Sequence, residues 1–243
     1  MRLSIFVLAL SVGLVSAVVA APPAKPAAVR VLIVTGVDPA HQWKKTAPVL
    51  RDVLEHDGRI EARIVEDPAF LAAPAVGDDD VILLDFENPK PLPNEAAICE
   101  NLARLVREGK GFVVVHFACG ALADWPEFAK MAGKVWDRKR AHDKRGPYTV
   151  QIRDAQHPIT RGMQDFQADD ELYFCLVGDA AVNLLAVARS KVTGRDEPMA
   201  FTLQYGKGRV FHTPLGHDAK SLQMPGVQEL LRRGCLWAAG RLD

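Results

Sequence analysis

The sequence is poor in cysteine: four in 243 residues, with no Cys-x-x-Cys pair among them. That spacing excludes a zinc finger, and so few thiols in a chain this long do not make a disulfide framework. Cys99, Cys119, Cys175 and Cys235 each sit singly in apolar surroundings and read as small buried hydrophobes. Net charge is also missing, 30 basic side chains standing against 30 acidic ones. With no basic stripe, nucleic acid is excluded as a partner. No HExxH or HxxEH pair is present, so no local motif announces a metal protease. Internal repeats are absent, and beyond residue 21 no apolar run is long enough to span a bilayer.

The chain opens with an apolar run. Residues 1–21 carry Arg2, a long hydrophobic stretch and the small-residue ending Val18-Val19-Ala20-Ala21, the pattern of a cleaved secretory signal peptide. The competing reading is an uncleaved anchor. Residues 22–28 form a Pro/Ala-rich spacer. The expected mature protein is therefore one domain over 29–243, periplasmic or secreted, large enough for a proper core.

Hydrophobic patterning then alternates. "VRVLIVTG" (29–36), "DVILLDF" (80–86) and "GFVVVHF" (111–117) are continuous apolar runs, and "IEARIVED" (60–67) alternates like a more exposed strand. Between them, Val49, Leu50, Val53 and Leu54 form one helical stripe, with Thr46 as its expected cap and Pro48 in its first turn. Ile98, Leu102, Leu105 and Val106 form another, stopped by Gly109. The second half predicts strands at 148–154, 172–177, 183–190, 199–205 and 209–216, the last two joined as a hairpin by "GKG", and a closing helix from Pro225. The fold class expected is α/β: a three-layer α/β/α sandwich around a mixed, mainly parallel sheet. Ligands bind beyond the carboxyl ends of such strands, which gathers Gly36–Trp43, Phe86–Pro89 and His116–Gly120 around one crevice.

Histidines supply the candidate chemistry. His41 follows the first strand, His116 ends the central one, His142 lies in the charged loop "DRKRAHDKRG", and His217 follows the last strand. Imidazole serves both zinc-like metals and proton transfer near neutral pH. His56 reads as solvated, His157 as part of a turn and His212 as a satisfied core group. "ADDELYF" adds Asp169, Asp170 and Glu171 just before an expected strand. Cys119 poses a rival reading, a nucleophile backed by His217-Asp218. A nucleophile elbow, however, needs a small residue on either side of the strained position. Aligned on Gly120, that position holds Ala118 and the leading glycine slot holds His116, so Cys119 falls one place late.

Several motifs together resemble the ThuA-like (trehalose utilisation) family: "VLIVTG" with "HQW", "GKGFVVVHFA", "HPITRGM", "DDELY", "YGKGRVFHTPLGHD" and "LWAAG", spanning nearly all of the mature chain. The resemblance implies a class I glutamine amidotransferase-like fold, related to flavodoxin-like sheets, without the amidotransferase cysteine. It implies carbohydrate catabolism, notably of disaccharides first oxidised to 3-keto sugars, with His41, His116, His142, Glu171 and His217 as the site. This chain departs from the pattern in carrying Cys119 beside the elbow and "DPA" before His41. On this footing the expected catalytic residues are His116, Glu171 and His217, with Glu171 or His217 as base. His41, Trp43 and Asp170 are expected to bind substrate. His116 and His142 are the expected ligands of a zinc-like divalent ion that polarises a carbonyl. The partner is a small-molecule carbohydrate. Alternatives are a non-catalytic sugar-binding protein of the same fold and a Cys-dependent hydrolase.

Overall fold

A computed structural model of the chain describes residues 27–243 except 39, 138–140 and 175. The expected signal peptide, most of the spacer and Cys175 lie outside the described residues. In chain order the elements are β1 Val29–Thr35, α1 Trp43–Glu55, β2 Ile60–Val65, β3 Val81–Asp85, α2 Glu95–Glu108, β4 Gly111–Val115, α3 Pro126–Ala132, β5 Val135–Trp136, β6 Gly146–Ile152, β7 Phe166–Asp170, β8 Leu176–Val177, β9 Asn183–Arg189, β10 Asp196–Tyr205, β11 Gly208–Thr213, α4 Ala219–Leu222 and α5 Pro225–Ala238. Short 3-10 turns occupy Pro68–Ala72, Pro74–Asp78 and His116–Gly120.

Nine strands form one sheet in the order β2-β1-β3-β4-β11-β10-β9-β6-β7. The first five are mutually parallel, and the pairings from β11 outward are antiparallel. Alternation along the parallel strands feeds two cores. Val31, Ile33, Leu83, Val113 and Phe211 face the side covered by α1 and α5. Leu32, Val34, Ile82, Leu84, Phe112 and Val114 face the side covered by α2 and α3. Both faces are buried, which is why these strands read as unbroken apolar runs. The closeness of α5 to β11 depends on a missing side chain: a Cβ at Gly234 would stand 2.1 Å from Phe211 Cδ1.

Strand direction decides where the chemistry lands. The parallel strands β1, β3, β4 and β11 end on one edge. Each antiparallel pairing reverses direction, so β10 runs against β11, β9 with it, β6 against it and β7 with it. The carboxyl end of β7 and the amino end of β6 therefore reach the same edge. Glu171 leaves β7 there, and His142 precedes β6 there.

Three local expectations are corrected. Thr46 is not the helix cap: α1 begins at Trp43, with Gln42 in the cap position and its carbonyl accepting from Lys45 and Thr46. Pro48 consequently lies inside the helix rather than in its first turn. The strand expected at 172–177 is replaced by β7 at 166–170, a single bridge of Tyr173 to His142, and the two-residue β8. Apolar "LYFCLV" has strand composition, but Tyr173 turns into the site. Acidic "FQADD" lacks strand composition, yet it forms β7 because its carboxylates have specific partners: Arg145 and Lys220 on Asp169, and backbone N–H groups on Asp170. The β10–β11 hairpin around "GKG" forms as expected.

Candidate functional site

At the end of β4 the chain turns sharply. His116 takes a left-handed backbone, φ 47°, which costs a non-glycine residue of order 1 kcal/mol or more. The strained residue of the elbow is thus His116 itself, not Ala118 as register on Gly120 suggested. Its side chain is fully buried. Nδ1 lies 2.7 Å from the Pro214 carbonyl, and since a carbonyl only accepts, Nδ1 carries the proton. Nε2 faces Tyr173 Oη at 2.9 Å, His217 Nδ1 at 3.3 Å and Glu171 Oε2 at 3.7 Å.

Two further imidazoles surround it. Ring centroids of His41, His116 and His217 form a nearly equilateral triangle, 5.4, 5.2 and 5.2 Å on a side, each pair close to edge-to-face. His41 is oriented by Asp38, whose Oδ2 accepts from Nδ1 at 2.7 Å, and by stacking on Phe117 at 4.0 Å. One ligand atom from each of His41, His116, Glu171 and His217 falls within 4.8 Å of the others. Three imidazoles and a carboxylate, with two of the rings tied through Nδ1 to oxygen acceptors, are the donor set and outer support of zinc-like sites. These four residues can hold a divalent cation.

The charges are coupled. Burial alone would raise the Glu171 carboxyl, but the His116 and His217 rings around it outweigh that and hold it well below the usual carboxylate range. Glu171 in turn raises His217. Asp170 sits directly beneath, 1% exposed, and its carboxylate accepts from the N–H groups of Glu171 at 2.8 Å, Gly216 at 2.7 Å and His217 at 3.2 Å. Burial nevertheless pushes its carboxyl above the ordinary value.

Of the expected site residues, His41, Glu171, His217 and His142 line one cleft of about 360 Å3, within the ~300–1,000 Å3 of small-ligand sites. His116 lies behind that lining. His142 stands apart from the four-residue cluster: its Nε2 is 3.7 Å from Glu171 Oε1, and its Nδ1 bonds the Asp143 carbonyl at 2.9 Å. Among the described residues, the group that could hold one ion is His116 with His41, Glu171 and His217, and His142 is not part of it. Trp43 opens α1 and does not line the cleft; Trp136 and Tyr173 supply its aromatic surface instead. Asp170 holds backbone rather than facing the cleft. Cys119 is 1% exposed in the core on the α2 side, with no place in the cleft lining, which removes the nucleophile reading. His212 is only half satisfied: Nδ1 bonds the Ala132 carbonyl, Nε2 finds no partner among the described residues, and burial lowers its pKa to about 4. Sequence reasoning missed Asp38, Glu87, Trp136 and Tyr173. Tyr173 was within reach, being part of "DELY", and Glu87 lies in the expected crevice segment.

Behind Asp38, at the end of β3, Asp85 is fully buried, and burial raises its pKa to about 8 despite the Thr35 hydroxyl 3.3 Å from Oδ2. The unfolded chain releases this proton near pH ~3.9 while the folded chain keeps it to about 8. The contribution of Asp85 to stability is therefore fully present below the unfolded value and is lost as pH rises toward about 8, at a slope of about 1.4 kcal/mol per pH unit. Asp85→Asn should flatten this slope; urea midpoints from pH 5 to 8 that fall equally in both proteins would count against a neutral buried Asp85.

Comparison with known proteins agrees with this fold. The ThuA family model, described as trehalose utilisation, matches residues 30–238. No curated protein matches the chain. Among solved structures, a ThuA-like protein from Parabacteroides merdae ATCC 43184 is 27% identical with TM-score 0.80, covering 89% of this chain and 92% of its own. One from Bacteroides uniformis ATCC 8492 is 19% identical with TM-score 0.70, covering 90% and 95%. A cytoplasmic protein from Salmonella typhimurium shares the fold at 13% identity and TM-score 0.62, covering 86% and 99%.

Proposed function

The chain belongs to the ThuA family, whose role is carbohydrate-related, and from that premise we propose that it is an enzyme cleaving 3-keto-glycosides by elimination followed by hydration. The observation that carries this reading is the convergence of three imidazoles and Glu171 at the floor of a sugar-sized cleft. A divalent cation held by His41, His116, Glu171 and His217 would supply Lewis-acid polarisation of the keto oxygen. The chain's own groups handle the proton. Glu171 and His217, as ligands of that cation, would have their lone pairs committed to it and are not free to take a proton. His142 suits the task better. Its Nδ1 proton is tied to the Asp143 carbonyl, leaving Nε2 as an acceptor at the cleft. His142 Nε2 takes the proton from C2, next to the keto group, and the C–H electrons pass into the enolate. As the keto group re-forms, a double bond forms between C1 and C2, the glycosidic C1–O bond breaks, and the departing oxygen recovers the proton from His142. Water adding across C1 and C2 completes a net hydrolysis.

Incubation with 3-keto-glucosides and 3-keto-disaccharides, with and without chelator, tests this directly. Expected are cleavage and exchange of the C2 hydrogen with solvent deuterium. Sugar binding by calorimetry with no turnover under any metal condition would instead favour a binding protein. His142→Asn should lower kcat by about 10²–10⁴-fold while leaving bound metal unchanged; retention of full kcat would move the base elsewhere. The apolar segment 1–21 supports export, which the mature N-terminus of protein recovered from the periplasm or medium tests. No helix among the described residues is long and apolar enough to cross a membrane.

A further inference from the structure

Glu87 lines the same cleft as His41, His142 and Glu171, and the elimination does not use it. It follows β3 on the sheet edge where the other site residues arrive. Its position is set from two sides. A Cβ at Gly120 would stand 3.0 Å from both Cδ and Oε1 of Glu87 and 3.2 Å from Cγ. Gly120 is not among the glycines of positive φ, so what this site requires is space rather than backbone freedom. Asn88, 5% exposed, pins the adjoining backbone: its Oδ1 accepts from Leu122 N–H at 2.7 Å, and its Nδ2 donates to the Lys90 carbonyl at 3.0 Å. The segment carrying Glu87 is thus fastened to the chain just beyond the His116 turn, and Gly120 leaves room for the carboxylate. The cleft also holds the ring surfaces of Trp136 and Tyr173. Aromatic faces cover the C–H face of a pyranose, while a carboxylate, being acceptor-only, takes hydroxyl protons.

We propose that Glu87 is the hydroxyl-recognising residue of the cleft, accepting a hydrogen bond from a ring hydroxyl remote from the reacting C1–C3 unit and thereby selecting among sugars that differ at C4 or C6. This rests on the reading of the cleft as a sugar site. The experiment compares wild type, Glu87→Ala and Gly120→Ala on a 3-keto-glucoside and its 4-deoxy, 6-deoxy and 4-epimeric analogues, with bound metal measured for each. In wild type, one deoxy analogue should lose about 10- to 100-fold in kcat/KM, the size of a hydrogen bond to a charged group. In Glu87→Ala the parent should fall by a similar factor, mainly through KM, and removing that hydroxyl should cost little more. Gly120→Ala, which retains the carboxylate but displaces it, should shift in the same direction with metal content unchanged. Deoxy penalties in Glu87→Ala equal to those in wild type overturn the assignment alone. Neither binding nor turnover of any of the sugars by wild type overturns the reading of the cleft and the assignment with it.

Discussion

Replacing His116 by alanine should abolish stoichiometric binding of a divalent cation and, with it, turnover. His116 is the buried vertex of the imidazole triangle, and its Nε2 is the atom that His217, Glu171 and Tyr173 all approach. Loss of even an outer-shell partner commonly costs about 10–100-fold in metal affinity, so loss of a ligand should exceed that. The readouts are metal content after dialysis and the visible spectrum of the cobalt-substituted protein. His142→Asn serves as the contrast, since it should keep the metal. A second variant separates chemistry from folding. At φ 47° alanine inherits the backbone strain and glycine does not, so His116→Gly should be more stable than His116→Ala by about 1 kcal/mol although both lose the ion. If His116→Ala binds the cation as tightly as wild type, the four-residue centre is wrong.

The second large effect concerns Asp170, which touches no substrate in this reading. Its two oxygens satisfy three backbone N–H groups, those of Glu171 and His217 through Oδ1 and that of Gly216 through Oδ2. Two of those residues are ligand candidates, so one carboxylate sets the backbone that presents both. Removing a buried acceptor leaves each donor unpaired at about 1–3 kcal/mol. Asp170→Ala should therefore lose about 3 kcal/mol or more, a large share of the ~5–15 kcal/mol that keeps a domain folded. Asp170→Asn should lose less, because an amide oxygen in the place of Oδ1 keeps two of the three bonds. Urea unfolding measures the loss, and metal content of the folded fraction should fall in step. A midpoint for Asp170→Ala equivalent to wild type within ~0.5 kcal/mol would show that other groups hold this junction.

The difference between these residues in the sequence is instructive. His116 was identifiable because it stands at the end of "GFVVV", and a polar residue just past a buried parallel strand is poised at the ligand-binding edge. Asp170 was visible only as one of three adjacent acids. Nothing in "DDE" tells that the first pairs with Arg145 and Lys220, the second accepts three backbone N–H groups, and the third faces imidazoles. The Gly216 and His217 donors lie 46 and 47 residues beyond Asp170, and adjacent residues on a strand point to opposite faces. Trp43 and Trp136 make the same point: both are tryptophans near histidines in sequence, yet only Trp136 reaches the cleft.

By itself the sequence determined the α/β class, the parallel half of the sheet, the flanking helices α1, α2 and α5 and the strand ends where His41, His116 and His217 emerge. Those features follow from local periodicity and from the rule that a sheet buried on both faces is apolar throughout. Only the tertiary structure decided that His41, His116, Glu171 and His217, rather than His116 and His142, come within reach of one ion. The candidate ligands follow β1, β4, β7 and β11, and Glu171 joins them because successive antiparallel pairings bring the end of β7 back to the shared edge. That count of reversals belongs to strand order, which no local pattern encodes.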